Sequence, residues 1–87
     1  MNTVLYFTAH WCGPCKKTRP IVEDLNHDRT ETRFYIIDVD IEMEMAKDFG
    51  IQSVPTFIVM KDNTEVHRTT GAKTKQQLEE LINYGDQ

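Results

Sequence analysis

Cysteine is scarce in this chain: there are two in 87 residues, Cys12 and Cys15. A structural zinc site needs four ligands, usually drawn from two such pairs. There is no second pair, and His10, His27 and His67 are scattered without ligand spacing, so a metal clip is set aside. Haem attachment of the Cys-x-x-Cys-His type is excluded because Lys16 follows Cys15. Long apolar runs are missing too. The run at residues 4–7 is far too short for a signal core and has no basic segment before it, so no export signal is expected. Nothing approaches the ~20 apolar residues of a membrane span. The chain therefore reads as cytoplasmic, with no membrane partner, and there a permanent structural disulfide is rare. Excess positive charge is absent: 10 basic against 14 acidic residues, net charge −4, argues against nucleic acid as a direct partner. Repeats and low-complexity segments are also lacking, and the length fits a single domain over residues 1–87.

The charge that is present is uneven. Lys16, Lys17 and Arg19 lie close to the cysteines with no acid in residues 1–20, whereas residues 38–48 hold five acids and one lysine. A basic cluster beside a thiol favours its thiolate; it also suits a solvated helix face.

The apolar pattern predicts an α/β order, β-α-β-α-β-β-α. Residues 3–9, TVLYFTA, read as a buried strand. A helix follows, with Pro14 in its first turn and Cys15, Thr18, Val22 and Leu25 on one face, ending near residues 26–28. Pro20 is expected to kink it without ending it. Residues 32–40 read as a second strand, apolar enough at 34–37 to be covered on both faces. Residues 42–49 form a short helix with Met45, Ala46 and Phe49 inward and Gly50 as a left-handed terminator. Residues 55–60 and 65–70 form a hairpin about a turn at 61–64, and Gly71 breaks the chain. Thr74 with Gln77 resembles a capping box before a last helix carrying Leu78, Leu81 and Ile82. The expected sheet is mixed and four-stranded, with three helices divided between its faces.

A strand running into a helix places Cys12 at the helix N-terminus, where free N–H groups and the positive end of the dipole stabilise a thiolate. Cys15 lies about one turn later on the same side, within reach. Cys12 is expected to be exposed and Cys15 shielded. The exposed thiolate attacks a substrate disulfide, and Cys15 resolves the mixed disulfide.

The stretch WCGPC, residues 11–15, resembles the active-site motif of the thioredoxin family at every position. YFTAHWCGPCK, Pro20, DFGIQSVPTF at residues 48–57 and TTGAKTKQQLEELI at residues 69–82 are similar to family segments in order and spacing, so the resemblance covers nearly the whole chain. It implies a thioredoxin fold and a protein-disulfide reductase. Trp11, Gly13, Pro14, Val54, Pro55, Gly71 and Ala72 would form the substrate-binding surface, with Val54 offering its backbone to an extended segment and a cis bond before Pro55. No bound cofactor is implied. Electrons would come from an NADPH-dependent thioredoxin reductase. Substrates would be disulfide-containing proteins, a ribonucleotide reductase among the candidates, and a monomer is expected.

Three departures from the family pattern bear on tuning. The usual first strand and helix are not represented before residue 3, as in short phage-encoded and some archaeal relatives. The strand at residues 32–38 then becomes a sheet edge, which either Arg33 and Asp38 would blunt or the N-terminal residues would cover. Tyr6 stands where the family has a buried acid and Ile36 where it has a lysine, so both members of a buried polar pair are lost together. His10 occupies a position often acidic in the family. His10, Lys16 and Tyr6 are thus the candidates for adjusting thiol pKa. His67 is expected on the surface and His27 at a helix end. Two other readings are weighed: a glutathione-coupled, glutaredoxin-like reductase, suggested by size but opposed by the Gly-Pro spacer and Trp11, and a binding subunit whose thiols are dispensable.

Overall fold

The computed structural model describes residues 2–28 and 32–85. The chain runs β1 (Asn2–Thr8), α1 (Gly13–Asp28), β2 (Thr32–Asp38), α2 (Met43–Asp48), β3 (Thr56–Lys61), β4 (Thr64–Thr70) and α3 (Lys75–Gly85). This is the expected order, with ends shifted by a residue or two. The sheet order is β2-β1-β3-β4; β1 and β2 are parallel, and β3 is antiparallel to both β1 and β4.

Period-two alternation along the strands divides the core. Val4, Tyr6, Phe34, Phe57 and Val59 meet Val22 and Leu25 of α1 and Leu78, Leu81 and Ile82 of α3 on one face. Leu5, Phe7, Ile37 and Ile58 point to the other, where Met45, Phe49, Ile51 and Val54 pack on them. The second layer is thin because α2 has only six residues and buries none of them completely. Coverage of β2 on both faces is therefore only partly realised. Ile37 is covered, but Tyr35 borders a cleft with Met45 of α2 and stays half exposed.

Local chemistry explains the joints. The β3–β4 turn places Asp62 and Asn63 at φ 52° and 66°, the positive-φ pair that a two-residue hairpin requires. Gly50 ends the α2 segment at φ 66°. The capping box forms: Thr74 Oγ1 accepts the Gln77 N–H at 3.2 Å, and Gln77 Oε1 accepts the Thr74 N–H at 2.9 Å. Helix α1 continues through Pro20.

Strand β2 is a sheet edge, as expected, but its main protection is not the expected one. Arg33 is exposed on it, and Asp38 is turned toward His10. The side-chain amide of Asn26, from the end of α1, instead occupies the outer side of the strand at Phe34. Any cover from Met1 lies outside the described residues. His67 is half-buried rather than a free surface residue, because its ring stacks on Tyr84 with centroids 4.0 Å apart. Among the described residues, no helix is long and apolar enough to cross a membrane.

Candidate active site

The site forms where β1 ends and α1 begins. Cys12 immediately precedes the first helical residue and Cys15 lies in the first turn; the two are joined as a disulfide with Cα atoms 5.3 Å apart. Cys12 Sγ accepts the Cys15 N–H at 3.2 Å, so the sulfur takes the place of a capping oxygen at the helix N-terminus. Negative charge on that sulfur faces the positive end of the helix dipole.

The expected contrast in exposure does not hold. Cys12 is 4% exposed and Cys15 2%. Cys12 clusters with Ala9 and Cys15 under Val39 and Val54. Its Sγ lies 3.6 Å from the Val54 carbonyl oxygen, to which a reduced thiol can donate. What separates the two sulfurs is surroundings: Cys12 sits beside exposed Trp11, Gly13 and Pro14, whereas Cys15 is embedded over β1.

Beneath the pair, Tyr6 is fully buried and its hydroxyl donates to the Cys15 carbonyl at 3.2 Å. Burial raises the phenol above its ordinary pKa, only partly offset by the Thr8 hydroxyl and the charge of Arg19. Tyr6 is thus a packed donor, not a base. Ile36 packs against the same core layer, so the two family departures sit in one apolar region.

Trp11 is 69% exposed, and its indole N–H donates to Asp40 Oδ2 at 2.8 Å. With Val39, Ile51, Gln52, Ser53 and Val54 it walls a groove of about 150 Å³ beside the disulfide. The Val54–Pro55 peptide bond is cis, and the Pro55 carbonyl accepts the Gly71 N–H at 2.9 Å. The structure thus brings Trp11 and Val54 together and sets Gly71 beside Pro55, whereas Gly13, Pro14 and Ala72 are exposed and do not line this groove. Ile51, Gln52 and Ser53 were not anticipated; their only sequence signal is adjacency to the Val-Pro-Thr step.

His10 is exposed, with Nε2 3.2 Å from Asp38 Oδ2. Asp38 Oδ1 accepts the Asp40 N–H at 2.8 Å, tying the two acids into one turn. His10, Lys16 and Cys15 border a second cleft of about 130 Å³ with Thr8, Ala9 and Arg19. Among the described residues, no group of three His, Cys, Asp or Glu side chains is placed to hold a metal ion.

The chain is similar in sequence and fold to known proteins. The family model described as Thioredoxin matches residues 1–84. The chain is similar to a thioredoxin of Bacillus subtilis, 41% identical over 78 residues that make up 88% of this chain and 75% of that one. A thioredoxin of Chlamydia muridarum is 41% identical over 76 residues, 87% of this chain and 74% of that one. Among solved structures, Fasciola hepatica thioredoxin superposes with a TM-score of 0.88 at 39% identity, covering 94% of this chain and 78% of that one. The thioredoxin NaTrxh of Nicotiana alata gives 0.87 at 41% identity, covering 94% and 70%.

Proposed function

The chain belongs to the thioredoxin family and is a thiol–disulfide oxidoreductase, and from that premise we propose that it reduces protein disulfides with Cys12 attacking and Cys15 resolving. The observation that carries this order is the position of Cys12 Sγ. It accepts a helix N-terminal N–H at 3.2 Å and neighbours the exposed rim of Trp11, Gly13 and Pro14. The thiolate of Cys12 forms a bond to one substrate sulfur, and the substrate S–S bond breaks, releasing a thiol. Cys15 then bonds to Cys12 Sγ and displaces the second substrate sulfur. Two electrons pass from the dithiol to the substrate, and the protein is left as the disulfide.

An extended substrate segment would lie along Val54, with side chains in the groove beside Trp11. Two electrons would be restored by an NADPH-dependent flavoprotein reductase. No bound cofactor is needed, since the two sulfurs carry the electron pair. A reducing cytoplasm suits such a cycle.

The test is insulin reduction by reduced protein. Cys12→Ser should abolish it, and Cys15→Ser should trap a covalent adduct with insulin. Unchanged turnover by Cys12→Ser would overturn the mechanism. Supplying electrons through thioredoxin reductase or through glutathione separates this reading from the glutaredoxin-like one.

A further inference from the structure

The cycle leaves open what takes the proton from Cys15. Its side chain is buried, and Tyr6 below it already donates its own proton to the Cys15 carbonyl. Ile36 has no group to offer. Cys15 and His10, however, border the same cleft of about 130 Å³. A water molecule occupies about 30 Å³ of liquid, so a bridging water fits there. With Nε2–H donated to Asp38, the other ring nitrogen of His10 is left as an acceptor.

We propose that His10, held by Asp38, accepts the Cys15 proton through water in this cleft as Cys15 attacks Cys12. The proposal rests on the dithiol cycle above and adds the path of its proton. The Cys15 S–H bond breaks and the proton passes to the imidazole. The freed electron pair forms the bond to Cys12 Sγ. The Cys12–substrate S–S bond breaks, and the substrate sulfur leaves with its electrons and is protonated from solvent. No outside oxidant or reductant enters the step.

The surrounding charges bear on the transfer. Lys16 and Arg19, from α1, border the cleft and favour a thiolate over a thiol. Arg19 shares its charge with Glu23, 3.4 Å away. Asp38 from β2 and Glu42 set carboxylates in the adjoining cleft, which His10 and Arg19 also line. The ring is exposed, so the proton passes on to solvent.

The two steps can be read separately. Reduced protein is mixed with insulin, quenched with acid between pH 5.5 and 8.5, and the mixed disulfide is quantified by mass. His10→Gln should accumulate the adduct and resolve it at least about tenfold more slowly at neutral pH. It should also show a flatter dependence of the resolution rate on pH across that range than the native protein. Asp38→Asn should slow resolution in the same direction but less, because the imidazole remains and is no longer held by the carboxylate. In the Cys15→Ser background, which stops at the adduct, His10→Gln should form it at an unchanged rate. Equal resolution rates and pH profiles, or equal slowing of both steps, would overturn the role of His10. Absence of any adduct in Cys15→Ser itself would instead overturn the dithiol cycle.

Discussion

The side chain of Asn26 hydrogen-bonds both backbone groups of Phe34: Oδ1 accepts its N–H at 3.1 Å, and Nδ2 donates to its carbonyl at 3.1 Å. A neighbouring strand would make the same pair of bonds. Here a helix residue makes them on the outer side of β2, at the edge of the sheet, where an unpaired backbone invites another chain. Asn26→Ala should therefore have two effects. Stability should fall by about 1–2 kcal/mol, since each bond contributes about 1 and water replaces part of it. The free edge should also promote self-association, most visibly at high concentration. Urea unfolding and sedimentation velocity measure these effects; an unchanged midpoint with a monomer at all concentrations would show the amide to be redundant.

Tyr6 predicts a pH dependence. Its folded-state pKa is raised, chiefly by burial. The folded protein thus keeps a proton that the unfolded chain loses near its ordinary value of about 10. Stability from this residue is fully present below that pH and declines as pH rises toward the folded value. Tyr6→Phe should remove this alkaline component, and at neutral pH it should cost about 0.5–1.5 kcal/mol for the lost bond to Cys15. Urea midpoints of the two proteins from pH 8 to 11 should converge as pH rises; parallel curves would refute the assignment.

Features written over a few consecutive residues were legible in the sequence. The Cys-Gly-Pro-Cys step, the Thr74–Gln77 box and the Gly50 terminator each specify their own local geometry, and all three form. Features that depend on chain meeting chain were not. Burial of Cys12 comes from Val39 and Val54, which no local pattern places beside it. Trp11 reads as an apolar contact until the turn after β2 brings Asp40 to its indole. Asn26 reads as an ordinary helix-end residue, and only the β1–α1–β2 crossover sets it beside Phe34. Tyr35 sits in an apolar run that implies cover on both faces, but the layer formed by the six-residue α2 leaves it half exposed.

Trp11 offers a separation of binding from folding. It is largely exposed, its polar partner is Asp40, and it walls the groove with Ile51 and Val54. Trp11→Ala should leave stability within about 0.5 kcal/mol, as surface substitutions do. Its effect should fall on KM for a protein disulfide, raised about tenfold if roughly 1.4 kcal/mol of contact is lost. Asp40→Ala should act in the same direction and more weakly, because the indole remains but is no longer held. Steady-state insulin reduction and thermal unfolding of both variants check this. A large fall in unfolding midpoint with unchanged KM would make Trp11 structural.

The glycines on either side of the site should respond in opposite ways to the same substitution. Gly13 opens α1, has no positive φ, and a Cβ built on it meets no atom within 4 Å. Gly13→Ala should therefore be neutral or stabilise by up to about 1 kcal/mol, through the smaller entropy of the unfolded chain. Gly71 has φ +92°, and a Cβ there would lie 3.7 Å from Lys73 Nζ, an ordinary contact. Space is not its constraint; backbone conformation is. Gly71→Ala should cost about 1–2 kcal/mol, the cost of a side chain at positive φ. Relaxation toward negative φ would strain the Gly71 N–H bond to the Pro55 carbonyl, so reduction of protein disulfides should weaken along with stability. In Gly13→Ala any loss of turnover must instead come from the approach of substrate to the exposed rim, since the fold is unharmed. Unfolding midpoints and insulin reduction measured on both variants decide the matter: equal destabilisation of the two would show that φ at Gly71 is not the constraint.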